Sequence, residues 1–567
     1  MILNARRRPL CALPLLCSVL LGQPQKPTEP PAVVIRSTTR LVQVNVVVRD
    51  RNGNAVTGLT KDDFVLEDDG KPQDIRVFAF QPSEKPARPT ARPAPGVSSN
   101  RYVERAAVGV TAILLDGLNT SWGDQAATRQ QMVRYLQNVR PEDRIALYVL
   151  GRELRILHDY TSEPSALLKV LSAYTGRHSP ELDASHQPMI EEIAQSVAAE
   201  YGNTKEARLA MEALQGVINT LKEEEFFYKE QRVLRTFKAL EAIANHLAGV
   251  PGRKNLIWIS AAFPLQLGYF ESPDAARGPS PESSDSPFSA RYPGRRSTPA
   301  DRSSLLVKHG RSRTFGDEFQ RAARALSTSN LSVYPIDARG LSPNPRAFEN
   351  IATMNDLAHY TGGKAYRNTN DIMGSIREAV QDAEVSYTLA YYPNQSNLDG
   401  RFRRIKVKVR HPSVSLRHRL GYYDLAEPSP GEASDAALRD ALWSPMDATA
   451  VLMDARLKRA EAAQAFALEV TIDPSGITFQ PKNDRWTADL EFFLAQTGEE
   501  GREHGITSQT VHLELLPEIY ENVRRDGYIL RQSVNRNPGA TSLRVLVRDV
   551  LSGSIGRVIV PFEAPPL

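Results

Sequence analysis

Apolar and polar positions change rhythm twice along the chain. From Leu41 to Phe80 they alternate: LVQVNVVV carries apolar residues at Leu41, Val44 and Val46–Val48, Asn52-Gly53 offers a turn, and FVLEDDGKPQDIRVFAF folds back at Asp68-Asp69-Gly70. Alternation broken by Asn-Gly and Asp-Gly predicts a small β-module over 38–80. From 108 onward the apolar runs become continuous (VGVTAILLD, RIALYVLG, NLIWIS, LSVYPID), as in strands buried on both faces. Helical spacing lies between them, at 124–139, 164–173, 315–329, 351–360 and 371–383. LRILHDY reads as an antiparallel edge strand and GGKAYR as a short final strand. Strands alternating with helices predict an α/β domain over 108–385, a doubly wound, mostly parallel sheet with helices on both faces. Alternation returns beyond Ser386 in SYTLAYYP, FRRIKVKVR and VSLRHRLGYY, which predicts a strand extension over 386–424. FALEVTI, ADLEFFLAQ, HLELL and TSLRVLVRD predict a β-sandwich-like terminal domain over 438–567.

Three segments fit none of these patterns. Residues 81–100 hold five prolines, the composition of an extended linker. Residues 182–248 are rich in Ala, Glu, Leu and Lys at helical spacing and predict two long helices, either a partner-binding arm or a layer packed on the sheet. Residues 278–304, rich in Pro, Ser, Asp and Arg, have little apolar surface to offset the entropy of ordering.

Length and charge change the picture mainly at the start. A chain of 567 residues implies three or four domains. Arg6, Arg7 and Arg8 precede the uncharged run Leu10–Leu21, within PLCALPLLCSVLLG. That run is short for a membrane span, and a positive cluster before it reads as an export signal over 1–22, cleaved near Gly22. A lipoprotein signal would need small residues before Cys17, where Leu15 and Leu16 stand. The expected location is therefore secreted, periplasmic or cell-envelope. Both cysteines, Cys11 and Cys17, lie in the leader, so the mature chain would form no disulfide and no thiolate metal site. Without the leader's three arginines, 67 basic residues face 66 acidic ones. No electrostatic footprint for nucleic acid remains, and no later stretch is long and apolar enough to span a membrane.

Several candidate sites dissolve on inspection. His158-Asp159 lies on the expected edge strand. Ser260 follows a buried strand but lacks the Gly-x-Ser-x-Gly elbow of a hydrolase. Gly252-Arg253-Lys254 precedes a strand, whereas a phosphate-loop lysine opens a helix. Asp50-Arg51-Asn52-Gly53-Asn54 is oxygen-rich enough for Ca2+ but reads as a hairpin turn. The chain is accordingly expected not to be an enzyme, with a serine hydrolase at Ser260 as the minor alternative.

One loop carries more. The first buried strand ends in Asp116, followed by Gly117-Leu118-Asn119-Thr120. This resembles the first loop of a von Willebrand factor A (VWA) domain, which reads Asp-x-Ser-x-Ser. PEDRIALYVLGRELRILHDYTSEPSALLKVL, GRKNLIWISAAFP, LSTSNLSVYPIDARGL and LAHYTGGKAYRNTNDI resemble later units of that fold. With the flanks LVQVNVVVRDRNGNAVTGLTKDDFVLEDDGKPQDI and YTLAYYPNQSNLDGRFRRIKVKVRHPSVSLRHRLGYY, the stretch from Leu41 to Tyr423 resembles a VWA-related family expanded in Acidobacteria. The resemblance implies an extracytoplasmic protein partner, through adhesion or assembly, and a cation site for Mg2+, or Mn2+ or Ca2+. Its ligands would be Asp116 and Thr120, with Thr175 from the second loop; Asn119 or Ser121, neither at a family ligand position, could add a further oxygen. The match is degenerate: Leu118 replaces a ligand serine, and Ser260, Ala261 and Ala262 stand where the third-loop aspartate belongs. Two readings stay open. Either a weakened site is completed by a partner carboxylate, or Asp116 caps and organises the loop and the chain is an envelope scaffold without metal. On the first reading, replacing Asp116 weakens partner binding and leaves the fold intact.

Overall fold

The computed structural model describes residues 41–81, 96–101, 110–140, 143–184, 196, 204–250, 252–261, 315–341, 347–394, 399–411, 413–425, 432–460 and 465–562. The expected leader, most of the proline-rich linker, the segment 278–304 and much of 182–203 lie outside these residues.

In chain order, β1 (Val42–Arg49), β2 (Phe64–Asp68), β3 (Lys71–Gln73) and β4 (Val77–Gln81) come first, then the two-residue β5 (Ser98–Ser99). The α/β body follows: β6 (Val110–Asp116), α1 (Trp122–Leu136), β7 (Arg144–Leu150), β8 (Leu154–Thr161), α2 (Pro164–Ala173), α3 (Pro180–Ala184), α4 (Lys205–Leu247), β9 (Lys254–Ser260), α5 (Gly316–Thr328), β10 (Leu331–Asp337), α6 (Ala347–Thr361) and α7 (Ile372–Glu384). Its sheet runs β10-β9-β6-β7-β8. The first four strands pair in parallel and β8 closes one edge antiparallel. The expected sixth strand is reduced to one bridge, Ile336 to Tyr366.

Every residue of β6, β7, β9 and β10 is buried, because each face of the sheet carries its own helical layer. Ala112, Leu114, Tyr148, Leu256, Trp258 and Val333 pack with residues of α4, α5 and α6. Their neighbours Ile113, Leu115, Leu147, Ile257, Ile259 and Ile336 pack with α1, α2 and α7. A period of two along a continuously apolar strand thus feeds two cores.

The helical segment before β9 belongs to that core. Val233, Phe237, Leu240, Ala244 and Leu247 of α4 are buried against the sheet, three or four positions apart, as one helix face requires. Each large apolar side chain buried there contributes up to about 1.5–3 kcal/mol. Of the two alternatives for 182–248, the last turns of α4 take the packed one. The helix is also single and 43 residues long over 205–247.

The remaining strands are β11 (Ser386–Tyr391), β12 (Asp399–Val409), β13 (Ser415–Arg417) and β14 (Gly421–Leu425), then helix α8 (Glu432–Trp443), β15 (Met453–Arg459), β16 (Ala465–Ile472), β17 (Gln480–Lys482), β18 (Arg485–Thr497), β19 (Glu503–Leu515), α9 (Pro517–Asp526), β20 (Tyr528–Asn535), β21 (Ser542–Asp549) and β22 (Ile555–Pro561). The N-terminal module and the 386–424 extension are one body. Their strands form two four-stranded sheets, β13-β1-β11-β4 and β14-β12-β2-β3, around a shared core that includes Val44, Val46, Leu66, Tyr387, Leu389 and Val407. Neither half has enough strands to bury an apolar face alone. The Asp69-Gly70 hairpin turn has positive φ at both residues, 46° and 76°, as a type I′ turn needs. Asp50 accepts the backbone N–H groups of Asn52 and Asn54, each at 2.8 Å, so that loop is a hairpin turn.

The C-terminal domain is a sandwich of β20-β16-β15-β5 on a second sheet built from β17, β18, β19, β21 and β22. Ser98 and Ser99, expected in the linker, extend the first sheet beside β15. Asn100 anchors them, donating to the carbonyls of Ala448 and Val451 at 2.7 and 2.9 Å. Thr449 joins this domain to the end of α4: Gly249 donates its N–H to the threonine hydroxyl at 2.8 Å, and that hydroxyl donates to His246 O at 2.7 Å. A Cβ on Gly249 would lie 2.4 Å from Thr449 O, so only glycine allows the approach. No described helix is long and apolar enough to cross a membrane.

Candidate functional site

Asp116 ends β6 at the C-terminal edge of the parallel sheet, where strand-to-helix loops gather polar groups. It is 2% exposed. Oδ2 accepts from Trp258 Nε1 at 2.9 Å, Ser260 Oγ at 2.8 Å and Asn119 Nδ2 at 2.9 Å, and Oδ1 accepts the Asn119 N–H at 3.0 Å. Burial pushes its carboxyl above the ordinary aspartate range, while the bonds from Asn119, Ser260 and Trp258 pull it back.

Asn119 passes the charge on. Its Oδ1 accepts from Arg232 Nε at 3.0 Å, and its Nδ2 also meets Thr236 Oγ1 at 3.0 Å. Arg232 and Thr236 lie one turn apart on α4, on the side that meets the sheet. Burial brings the Arg232 guanidinium down to about 10, with the charges of Asp116 and Glu181 opposing that fall. Glu181, on α3, accepts from Arg235 Nη1 at 2.8 Å and Arg152 Nε at 3.1 Å. Burial raises its carboxyl, but the Arg235 bond and the charges of Arg152 and Arg235 outweigh that and hold it below the ordinary glutamate range.

The loop after Asp116 is fixed along its length. Thr120 Oγ1 accepts the Ala261 N–H at 3.0 Å, tying the loop to the end of β9. Ser121 caps α1 by accepting the Asp124 N–H at 3.3 Å. Gln125 Nε2 reaches the carbonyls of Thr120 and Arg177 at 2.8 and 2.9 Å, and Ser179 Oγ donates to Leu118 O at 3.0 Å. Leu118 is fully buried and joins the core on the α4 side.

The structure therefore brings Asp116, Asn119 and Thr120 together. Thr175 makes no hydrogen bond to them: it is exposed and has no hydrogen-bond partner among the described residues. A divalent cation takes about six oxygen ligands. Here the oxygens of Asp116, Asn119 and Thr120 already accept from protein donors, and a guanidinium supplies the nearby positive charge. This donor set does not fit a bound cation as arranged, and no group of three or more His, Cys, Asp or Glu among the described residues is placed to hold one. Ser260, at the missing third-loop carboxylate, closes on Asp116 directly. Sequence reasoning missed Arg232, Thr236 and Trp258. The available signal was a buried-type arginine and threonine, four apart, beside the apolar stripe of α4.

The other candidates separate. Asp159 faces His246 Nε2 at 3.7 Å, and its half-exposed carboxylate is far from Ser260 in the fold, beyond β7 and β6. Lys254 opens β9 and donates to Val250 O, with no phosphate-loop geometry.

No protein-family model and no curated protein matches the sequence. Among solved structures, the chain is similar to the vWF domain of a type V pili tip protein from Porphyromonas gingivalis, at 12% identity over 49% of this chain and 95% of that one, TM-score 0.26. It is similar to an aerotolerance-related membrane protein from Bacteroides fragilis at 12% identity, over 48% and 98% of the two chains, TM-score 0.22. A pilus adhesin from Lactobacillus rhamnosus GG matches at 8% identity, over 86% and 57%, TM-score 0.24. Scores this low add nothing to the strand order and the two helical layers, which define the α/β body by themselves.

Proposed function

We propose that this chain is an exported, non-enzymatic protein-binding module of the adhesion or assembly kind. Its partner surface is the C-terminal edge of the α/β sheet, and Asp116 is the internal strut of that surface. The observation that carries this reading is Trp122. It is the first residue of α1, directly after the loop that Asp116 holds, and it is 62% exposed. Leu341, after β10 at the same edge, is 64% exposed. A large apolar side chain fixed at the start of a helix, as Trp122 is, is what partner surfaces use, and tryptophan most of all. Ser260 is fully buried with its hydroxyl proton committed to Asp116, which leaves a hydrolase no accessible nucleophile there. The export element of the proposal rests on Arg6–Arg8 and the Leu10–Leu21 run.

The test is capture of envelope proteins by the full chain, compared with Trp122→Asp, each in chelator and in Mg2+. Partners retained by the wild type in both solutions, and lost with Trp122→Asp, support the reading. Partners retained only in Mg2+ would restore the cation-completed alternative. Equal capture by both chains would place binding elsewhere.

A further inference from the structure

At the opposite end of the same parallel strands lies a shallow cleft, between β1 of the sandwich and the segments that lead into β9 and β10. Seven-residue strands separate it from Asp116 by roughly 20 Å. Its walls include Arg253, Arg419, Gln43, Asn45 and Ser327, and no lining residue is acidic.

Arg253 is 2% exposed. Its Nη2 donates to Tyr334 Oη at 2.8 Å and Gly362 O at 2.9 Å, while its buried Nε has no partner. No carboxylate hydrogen-bonds to it among the described residues. It reaches negative charge only through the Tyr334 hydroxyl, which donates to Asp382 at 2.8 Å. That carboxylate is already shared by Arg49, at 2.6 Å, and Arg417. Arg49 and Arg417 thus take that carboxylate directly, Arg417 with Glu378 as a second partner at 3.6 Å, and leave Arg253 only the Tyr334 hydroxyl; Arg419 stands on the cleft wall. A buried cation without a matching anion is costly.

Neutral donors complete the lining. Ser327 Oγ accepts from Arg419 Nη1, which leaves its own proton to give. Asn45 uses its carbonyl oxygen on Thr388 at 3.0 Å, and its amide nitrogen has no partner among the described residues. Guanidinium forks with hydroxyl and amide donors, and no competing acid, form an oxyanion-binding set.

We propose that this cleft binds a small tetrahedral oxyanion of the phosphate or sulfate kind, held between Arg253 and Arg419 with Ser327 and Asn45. Bound there, it bridges the sandwich strand β1 to the α/β body and stabilises their junction.

The test is calorimetric titration and thermal unfolding of the full chain in millimolar sodium phosphate, sodium acetate and sodium chloride at matched ionic strength. Phosphate should bind saturably and raise the unfolding temperature above that in chloride. Ser327→Glu puts a carboxylate on the wall at a half-buried position beside Arg419. It should fold, melt no lower than the wild type without phosphate, and bind phosphate at least about tenfold more weakly, the scale of one charge-assisted contact. Arg253→Met should abolish binding, and if that variant fails to fold, Ser327→Glu decides alone. Equal melting in phosphate and chloride, wild-type affinity in Ser327→Glu, or a response to acetate alone would each overturn the proposal.

Discussion

Asp116→Ala is expected to destabilise the α/β body rather than merely weaken a surface site. The substitution leaves four donor hydrogen bonds without an acceptor: those of Trp258 Nε1, Ser260 Oγ, Asn119 N and Asn119 Nδ2. A buried donor left unpaired costs about 1–3 kcal/mol. Removing one partner of a buried charge pair costs about 3–5 kcal/mol, and Arg232 would keep its charge behind Asn119. These costs overlap because the loop relaxes as a unit, so the expected total is roughly 4–6 kcal/mol. At about 2–4 °C per kcal/mol for a body of this size, the unfolding temperature should fall by about 8–24 °C. Differential scanning calorimetry of the full chain, in chelator and in Mg2+, measures it. Asp116→Asn should fall between, since its remaining oxygen can serve Trp258 and Ser260 while its amide faces the Asn119 N–H. Combining it with Arg232→Met should cost less than the sum of the two, by about 1–3 kcal/mol, because the uncompensated charge goes too. Melting of Asp116→Ala within about 2 °C of the wild type would refute the strut. So would a wild-type gain in saturating Mg2+ of about 2.7 kcal/mol, the amount a ligand at a hundred times its Kd supplies.

Three further outcomes are expected. Asp382 is fully buried and holds Arg49, Arg417 and the Tyr334 hydroxyl, so Asp382→Ala should cost about 3–5 kcal/mol in denaturant unfolding; a loss below about 1 kcal/mol would mean the arginines find other partners. Lys254 is fully buried, and desolvation brings its ammonium down to about 7. The unfolded chain binds that proton up to the ordinary lysine range, so wild-type stability should rise with pH between about 7 and 10; Lys254→Met should stabilise most below pH 7, and a gain that does not shrink across that window would contradict the assignment. Burial raises the Asp68 carboxyl, while the Tyr391 and Tyr422 hydroxyls on Oδ2 oppose the rise and Oδ1 has no partner. A raised carboxyl favours the fold only while protonated, so Asp68→Asn should be neutral or stabilising by up to about 1 kcal/mol at neutral pH. That advantage should fade as pH falls from the raised carboxyl's own range toward the ordinary aspartate range, and a loss above about 2 kcal/mol at pH 7 would show that the charge itself is needed.

The sequence by itself determined the element types. Continuous apolar runs at VTAILLD, RIALYVL, NLIWIS and LSVYPID became the four parallel strands, and alternation elsewhere became two sandwiches, because side-chain period is a local property that burial selects directly. It also placed Asp116 and Thr120 on one strand-to-helix loop at the end of the first parallel strand. What those residues do was decided only by tertiary structure. Arg232 reaches Asn119 across 113 positions and Trp258 reaches Asp116 across 142, and no local pattern encodes a contact at that separation. The same holds for β1–β4, which find their other half in β11–β14 more than 300 residues later, and for Ser98 and Ser99, which leave a proline-rich stretch to complete a distant sheet. A linker's composition states how little core it can form; it does not state which unpaired strand edge will be within its reach.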